Sequence, residues 1–372
     1  MKLGTSRQRR RFGEFARKVT FTLSPLLLLL GGAELLARRL VEPPPDPTLT
    51  SGLAMVPHAT RVWSLAPGDI KTGGLTHHIS DDRLRVVAET GAELRVLTLG
   101  DSSIFGHGVV DADTLHANLA ASLGERGVSA DVLCGGVPGY STAQSLLLLD
   151  EVGWDLEPDL LVIGNLWSDN NYGYFVDSEW LAELHSPVRR LDRALSWSVA
   201  WDWFRGFQRP AIARDGQLPI SWVREPYPTE EGRRRVPLED YAANLDEMLV
   251  QAAEREVGVV MLAPANRHRL SPDGSVVMWG VYFEAMRLVA ENRGVLVVDA
   301  LDALKPSGLS VDEAFLDEMH PTGPTNALYA GLLSEALVDE GWPEARLTPD
   351  GDAAPLAVTW RDPVARSDGP VH

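Results

Sequence analysis

A serine, an aspartate and a histidine stand in two short fragments near opposite ends of the chain. Residues 95–103 read as an apolar strand that runs into a Gly-Asp-Ser-Ser turn and presents the hydroxyl of Ser102. Residues 317–321 place Asp317 three positions before His320, ahead of an apparent helix. A serine becomes nucleophilic when a base takes its proton, and a carboxylate can orient that base. The three residues are therefore candidates for a nucleophile–base–orienter relay, which indicates acyl-group chemistry.

The segments that must position these residues alternate between strand and helix. Five apolar segments read as strands, at residues 95–100, 130–134, 160–164, 257–262 and 295–298. Helices are predicted between them, and one has a capping-box pattern that starts at Ser141. Apolar strands that alternate with helices predict a parallel sheet covered on both faces, with ligands bound at the strands' carboxyl ends. Ser102 directly follows such an end, as do the 135–139 loop and Ser168.

A glycine-containing loop precedes one of these helices. In residues 135–142, Gly139 stands just before the predicted helix start, where a backbone N–H can face a developing oxyanion in a region that the helix dipole makes positive. The alternative is that Gly139 only supplies an unusual backbone angle for the turn.

Three blocks of the chain together resemble the SGNH/GDSL hydrolase superfamily of lipases and acylhydrolases. Residues 100–103 are similar to its nucleophile block, with Ser103 where the eponymous leucine would be, residues 137–142 to its glycine block, and residues 317–321 to its closing Asp-x-x-His block. The resemblance extends over residues 95–337. It implies a three-layer α/β/α sandwich with a parallel, flavodoxin-like five-stranded sheet.

The same resemblance implies a catalytic site. Ser102, Asp317 and His320 would form the triad, and the N–H groups of Ser102 and Gly139 would donate to the oxyanion together with an Asn side chain. The chain departs from the family at that Asn. The family has Gly-x-Asn-Asp, whereas residues 164–171 read Gly-Asn-Leu-Trp-Ser-Asp-Asn-Asn, which puts Ser168 in the Asn place. Ser168 is therefore one candidate for the oxyanion side chain, and the amides of Asn165 and Asn170 are the alternatives.

The N-terminal residues indicate export. Seven Lys and Arg residues within positions 1–18 precede an apolar run at 19–36 that includes five consecutive leucines. A basic flank before an apolar run predicts an N-terminal membrane helix, with the flank in the cytoplasm and the body outside it. The alternative is a signal cleaved near residues 31–33, which would release a secreted protein.

The rest of the chain divides by composition. Residues 1–41 form the basic flank and anchor, 42–50 a Pro-rich linker, 51–342 the hydrolase-like domain, and 343–372 a C-terminal tail. Within the domain, residues 172–237 are a Trp- and Arg-rich insertion. We interpret this insertion as a packed cap, a platform for a sugar ring or acyl chain, or a surface that rests on the membrane.

Composition and charge exclude several classes of function. The formal charge of −18 would repel nucleic acid, so a neutral or weakly charged substrate is expected. The single cysteine, Cys134, forms no intramolecular disulfide and no Cys-based zinc site. The adjacent His77 and His78 are interpreted as part of a solvated loop, and His107 as structural. No metal and no cofactor is predicted.

The prediction is a membrane-anchored, extracytoplasmic serine esterase that hydrolyses an acetyl or short-acyl ester of a small molecule or glycan. Two alternatives stay open. The same triad could pass the acyl group to a sugar hydroxyl of an exported glycan, as an O-acyltransferase does. The fold could also be a non-catalytic carbohydrate-binding scaffold. No protein partner is predicted.

Overall fold

The computed structural model of the chain describes most of its residues. The described positions are 24–25, 28–40, 55–72, 74–87, 91–173, 176–184, 186–195, 197–206, 233–270, 280–358 and 360. The predicted linker at 42–50, the basic flank at 1–18, and positions 207–232 of the insertion lie outside them.

The chain divides into two compact units. One comprises Met1–Asp46 and His185–Gln217, and the other comprises Pro47–Leu184 and Leu218–His372. The predicted insertion is therefore shared between the units, because its middle part groups with the N-terminal residues and its two ends group with the larger unit.

The larger unit contains the strands. They are β1 (Met55–His58), β2 (Val62–Leu65), β3 (Gly68–Thr72), β4 (Leu75–Ile79), β5 (Arg85–Val86), β6 (Leu94–Gly100), β7 (Ala130–Gly136), β8 (Leu160–Ile163), β9 (Tyr172–Gly173), β10 (Arg233–Arg234), β11 (Gly258–Ala263) and β12 (Leu296–Asp299).

The helices of the described residues are short to medium in length. They are α1 (28–40), α2 (Ser102–Phe105), α3 (Leu115–Glu125), α4 (Thr142–Glu151), α5 (Trp167–Asn170), α6 (Asp177–Leu184), α7 (Pro187–Ala194), α8 (Val199–Gly206), α9 (Leu238–Glu254), α10 (Arg267–Leu270), α11 (Gly280–Asn292), α12 (Leu301–Ser307), α13 (Val311–Ala314) and α14 (Gly323–Asp339). The capping box predicted at Ser141 is present at the start of α4.

The central sheet confirms the predicted α/β fold. Its order is β12-β11-β8-β6-β7-β5-β4-β3, and the five strands from β12 to β7 are mutually parallel. Numbered along the chain, these five follow the order 2-1-3-4-5 of flavodoxin-like sheets. The order reverses direction beside β6, so the carboxyl end of β6 lies at the switch point where such sheets bind ligands.

Two apolar cores cover the two faces of this sheet. Alternate strand residues such as Leu97 and Met261 pack with α4, α9 and α11, while Val96 and Leu262 pack with α3, α12 and α14. Because successive strand residues point to opposite faces, the near-continuous apolar strands supply both cores. The result is the expected three-layer sandwich.

Three antiparallel strands, β5, β4 and β3, extend the sheet beyond the five predicted strands. The interpretation of His77 and His78 as part of a loop is wrong, and of the two only His78 is solvent-exposed. Both residues lie in β4, where His77 is fully buried and stacks edge-on against Phe105, whereas His78 is exposed and pairs with Asp69. The strand's alternation explains the difference, because neighbouring side chains face opposite sides of the sheet.

The beginning of the predicted tail packs on the larger unit. The carbonyl of Leu347 accepts a hydrogen bond from the amide of Val259, and the carbonyl of Asp350 accepts from the guanidinium of Arg293. The first residues past position 343 are therefore part of the folded body.

The smaller unit contains α1, α7 and α8. The described part of the predicted membrane helix, at 28–36, is helical. Among the described residues, no helix combines the length and the apolar character that a membrane crossing requires.

Candidate active site

The nucleophile candidate lies where β6 ends. Asp101 caps the short helix α2, with its carboxylate accepting from the amide of Ser103 at 2.9 Å, and Ser102 is the first residue of the helix. The helix packs closely on two glycines. A Cβ on Gly100 would meet Ile104 at 2.4 Å, and a Cβ on Gly136 would meet the amide nitrogen of Phe105 at 2.5 Å. The glycines of the block therefore allow the turn that presents Ser102 at the edge of the sheet.

The structure brings Ser102 together with His320 and Asp317. The Nε2 atom of His320 lies 2.7 Å from the Oγ atom of Ser102, and its Nδ1 atom lies 2.6 Å from Oδ2 of Asp317. Residues 218 positions apart in the sequence are thus in direct contact. A carboxylate accepts only, so Nδ1 carries the proton and Nε2 is left to accept from the serine hydroxyl.

Asp317 is held by its own backbone as well. Its Oδ1 atom accepts from the amides of Met319 and His320 at 3.0 and 2.9 Å. Partial burial alone would raise the pKa of Asp317, but the hydrogen bond and positive charge of His320 outweigh it and hold the pKa well below its usual range. Asp317 is therefore ionised at neutral pH, as an orienting carboxylate must be.

A second histidine lies against His320. The ring centroids of His107 and His320 are 4.6 Å apart, and burial lowers the pKa of His107, with the charge of His320 acting in the same direction. His107 is therefore neutral at pH 7. His107 was predicted to be structural. Its contact with His320 could not be predicted, because no spacing pattern connects two histidines more than 200 residues apart.

Two backbone N–H groups at the site have no acceptor within the described part of the chain. They are those of Ser102 and Gly139. The glycine loop is tied to the nucleophile's strand, because the amide of Val137 donates to the carbonyl of Gly100 at 3.1 Å. Gly139 has φ +77°, in the left-handed region that favours glycine. Gly139 can therefore supply the unusual backbone angle of the turn and also an N–H group for an oxyanion.

The three side chains predicted for the oxyanion position all have other partners, and the side-chain oxygen of Asn170 accepts from an arginine. The hydroxyl and amide of Ser168 both contact Oδ2 of Asp101, at 3.2 and 3.1 Å, and burial raises the pKa of that carboxyl. Asn165 is fully buried, and its amide nitrogen donates to the hydroxyl of Ser145 at 3.0 Å. These contacts do not support the expectation that Ser168 or Asn165 supplies the third oxyanion donor.

A buried ion pair braces the glycine loop. Arg235 donates to the carbonyl of Gly139 at 2.7 Å, to Gln144 at 2.9 Å and to both carboxylate oxygens of Asp177. Asp177 in turn accepts from the hydroxyl of Ser141 at 2.5 Å. This ion pair has no signal in the sequence, because Arg235 and Asp177 come from the two ends of the insertion and no local pattern links them.

Asp169 connects the third block to the glycine block. Its Oδ1 atom accepts from the amide and the hydroxyl of Thr142 at 2.8 and 2.6 Å. Burial raises the pKa of Asp169 to about 7, against the opposing effect of these hydrogen bonds and of the charge of Arg235. Within the described ranges, no three His, Cys, Asp or Glu residues are grouped so that they could hold a metal ion.

Comparisons with known proteins give matches among solved structures. No protein-family model and no curated protein matches the chain. Similar solved structures include LAE5, an alpha/beta hydrolase from the metagenome of Lake Arreo in Spain (19% identity, 66% of this chain and 95% of that chain, TM-score 0.44). Another is assigned to the G-D-S-L family, from Desulfitobacterium hafniense DCB-2 (13%, 66% and 100%, 0.42). A third is Axe2, an acetylxylan esterase from Geobacillus stearothermophilus (14%, 68% and 97%, 0.43).

The activity proposed for this chain rests on the geometry of its own site.

Proposed function

We propose that the protein is an SGNH-type serine esterase that hydrolyses an acetyl or short-acyl ester. The observation that carries the proposal is the continuous relay from Ser102 through His320 to Asp317, with hydrogen bonds of 2.7 and 2.6 Å. The N–H groups of Ser102 and Gly139, which have no acceptor among the described residues, support a site for negative charge beside it.

In the first half of the reaction, the Oγ atom of Ser102 attacks the carbonyl carbon of the ester while Nε2 of His320 takes the hydroxyl proton. The negative charge that develops on the carbonyl oxygen is stabilised by the two N–H groups, and Asp317 stabilises the imidazolium. The tetrahedral intermediate collapses, the bond to the alcohol oxygen breaks, and His320 gives its proton to the departing alcohol. Ser102 is left acylated.

In the second half, water attacks the acyl carbon and Nε2 of His320 takes its proton. Collapse of the second tetrahedral intermediate releases the carboxylic acid, and the proton returns to Ser102. If a sugar hydroxyl replaced the water, the same steps would transfer the acyl group, so the relay is equally compatible with an O-acyltransferase.

The test is hydrolysis of p-nitrophenyl acetate and longer acyl homologues by the full chain in detergent. Wild type is compared with Ser102→Ala and with Ser103→Ala as the matched control. The hydroxyl of Ser103 is buried, and no partner for it exists among the described residues. We expect Ser102→Ala to remove turnover and Ser103→Ala to retain it.

Other outcomes separate the alternatives. A folded wild type without hydrolysis that acylates an added glycan would establish the transferase. Glycan binding that Ser102→Ala leaves unchanged, with no turnover on any ester or acceptor, would establish the binding scaffold and overturn the esterase.

We also propose that the body lies outside the cytoplasm and is anchored through residues 19–36. Support comes from the sequence, in which a dense basic flank precedes the apolar run. Protease accessibility of the body in spheroplasts, with the mass of the mature N-terminus, tests this proposal. A mature chain that begins after residue 31 would replace the anchor by a cleaved signal.

A further inference from the structure

The smaller unit contains a large apolar groove. It lies between α1 and the segment 195–204, has a volume of about 950 Å³, and is lined almost entirely by apolar side chains, among them Leu36, Ala37, Trp201 and Phe204. We call this surface, formed by α1 and residues 195–206, the apolar groove.

The rim of the groove exposes more large apolar side chains than a water-facing surface normally carries. Leu36 is 58% exposed, Leu40 74% and Trp197 65%, and Trp203 and Phe204 are about half exposed. Contiguous apolar surface of this kind marks a protein or membrane contact. Its composition, with leucines on one helix and Trp and Phe on the other, is that of helices at a membrane interface.

The charged group within the groove is fully paired. The carboxylate of Glu34 accepts from the hydroxyl of Ser198 at 2.7 Å and from the amides of Val199 and Ala200 at 3.1 Å. Arg38 donates to the same carboxylate at 2.7 Å. Glu34 therefore caps α8 and joins it to α1. A polar group satisfied in this way can enter a medium of low dielectric constant, whereas an unpaired carboxylate would oppose entry.

The arrangement of charge favours a lipid bilayer over a protein as the occupant. The leucines of α1 at positions 28–36 are followed by Arg38 and Arg39, and Arg38 also donates to the carbonyl of Trp197 at 2.9 Å. In a bilayer, Arg and Trp side chains lie at the depth of the lipid headgroups, and Leu side chains lie deeper, among the acyl chains. The side chains of α1 follow the same order. The sequence of α7 adds three arginines in a chain of net charge −18. This local positive charge complements anionic headgroups.

We propose that the apolar groove extends the membrane contact of the anchor to α8, with acyl chains of anionic phospholipids filling the space between α1 and α8. This inference rests on the proposal that residues 19–36 remain in the mature chain, and it is independent of the esterase activity. The contact keeps the Trp-rich segment at the lipid surface instead of leaving it as a packed cap.

The test measures which solvent reaches the groove. The full chain carrying Leu36→Cys or Phe204→Cys is labelled with a small fluorophore, which is selective because Cys134 is buried. The protein is reconstituted in vesicles of phosphatidylcholine and phosphatidylglycerol and titrated with brominated lipid or with aqueous iodide. Glu254→Cys, at a side chain of the larger unit that is 68% exposed, is the control.

We expect brominated lipid to quench the probes at 36 and 204 at least threefold more than the probe at 254, with iodide giving the reverse order. Lipid quenching at 36 with iodide quenching at 204 would leave the anchor intact and overturn the groove proposal. Protection of the probe at 204 from both quenchers would also overturn it, because protein, either a partner or a second copy, would then cover the groove. Absence of lipid quenching at both positions would overturn the anchor as well.

The role of Glu34 is tested with Glu34→Leu in the same labelled chains. The variant makes α1 more apolar but removes the cap of α8. We expect lipid quenching at position 36 to stay or rise and quenching at 204 to fall at least twofold. Unchanged quenching at position 204 would show that α8 reaches the lipid without Glu34, so that the hydrogen bonds of Glu34 are not needed for the contact.

Discussion

Ser102, His320 and Asp317 depend on one another through two hydrogen bonds. The bond to Asp317 leaves Nε2 of His320 unprotonated, and this nitrogen is the one that faces the hydroxyl of Ser102. The residue types and the local Asp-x-x-His spacing are visible in the sequence, because the carboxylate and the imidazole are brought together by one short turn. Their distance from Ser102 is not visible, since it depends on how β6 and the segment before α14 are placed in the fold.

The first prediction at this scale concerns Asp317. Because its carboxylate orients His320 and stabilises the imidazolium, Asp317→Asn should lower kcat by about 10² to 10⁴ while KM changes little. Asp312→Asn is the control, since the Asp312 side chain is exposed and pairs with Arg267 instead of His320. Steady-state kinetics on the best ester substrate measures both. A kcat for Asp317→Asn equal to that of Asp312→Asn would remove Asp317 from the mechanism.

Asp169 gives a prediction about pH. Its pKa is raised to about 7 in the folded protein, against about 4 in an unfolded chain. Its contribution to stability is therefore fully present below about pH 4 and is lost as the pH rises through about 7. Asp169→Asn cannot ionise but keeps an oxygen that accepts from Thr142. The Tm of the variant relative to wild type should thus be higher at pH 8 than at pH 5.5. Thermal unfolding in matched buffers measures this, and an equal offset at both pH values would contradict it.

At the scale of elements, the site is assembled by segments that the sequence presents as unrelated. The glycine loop before α4 was recognised from its spacing and from the capping box, both of which are local. Two residues from the ends of the insertion, Arg235 and Asp177, hold that loop in place through hydrogen bonds. Arg235 is fully buried and bonded to the carbonyl of Gly139, and Asp177 binds Ser141. A buried ion pair with further hydrogen bonds on both partners confines the loop to one conformation.

Arg235 is therefore expected to be a positioning residue for the N–H group of Gly139. Arg235→Lys keeps the charge but loses the fork that binds Gly139, Gln144 and Asp177 together. We expect kcat to fall about tenfold or more, because the oxyanion contact is made in the transition state, with KM within about twofold of wild type.

The matched control is Arg233→Lys, two residues away, where an exposed arginine pairs with Glu179. Tm values of all three proteins separate loss of fold from loss of positioning. A folded Arg235→Lys protein with the kcat of Arg233→Lys would show that the loop keeps its conformation without the guanidinium.

At the scale of the whole molecule, distant segments complete the larger unit. The start of the predicted tail packs against β11 and α11. Arg293 joins the tail to α9, because it binds Asp246 at 2.6 Å and the carbonyl of Asp350 at 2.9 Å. The Pro- and Asp-rich composition of the tail gave no indication of this packing, because its contacts are made through backbone carbonyls that every sequence possesses.

Arg293→Met should lower the free energy of unfolding by about 2 kcal/mol or more, because it leaves Asp246 and two tail carbonyls without their donor while filling much of the same volume. Arg287→Met, in the helix α11 that ends just before Arg293, is the control. Its exposed guanidinium pairs with Glu284 and Glu291, so its loss should cost less than about 1 kcal/mol. Urea unfolding measures both, and equal midpoints would contradict the structural role of Arg293.

Local patterns in the amino-acid sequence are enough to predict the core of the sheet and the candidate relay. Apolar strands alternating with amphipathic helices specified the parallel sheet, and the Gly-Asp-Ser and Asp-x-x-His fragments specified the candidate relay. Strands β3 to β5 were missed because their short, mixed polar segments lack a clear alternation, and they pair at the edge of the sheet instead of being covered on both faces.

The residues that surround the relay are set by tertiary packing and could not be predicted from the sequence. Ser168 contacts Asp101, and Asn165 contacts Ser145. His107 packs against His320, and Arg235 binds the glycine loop. Hydrogen bonds between distant segments depend on the direction in which each side chain leaves its element, and this direction is set by packing. A sequence pattern can identify a hydrogen-bond donor by its residue type, but the fold determines which acceptor lies within hydrogen-bonding distance.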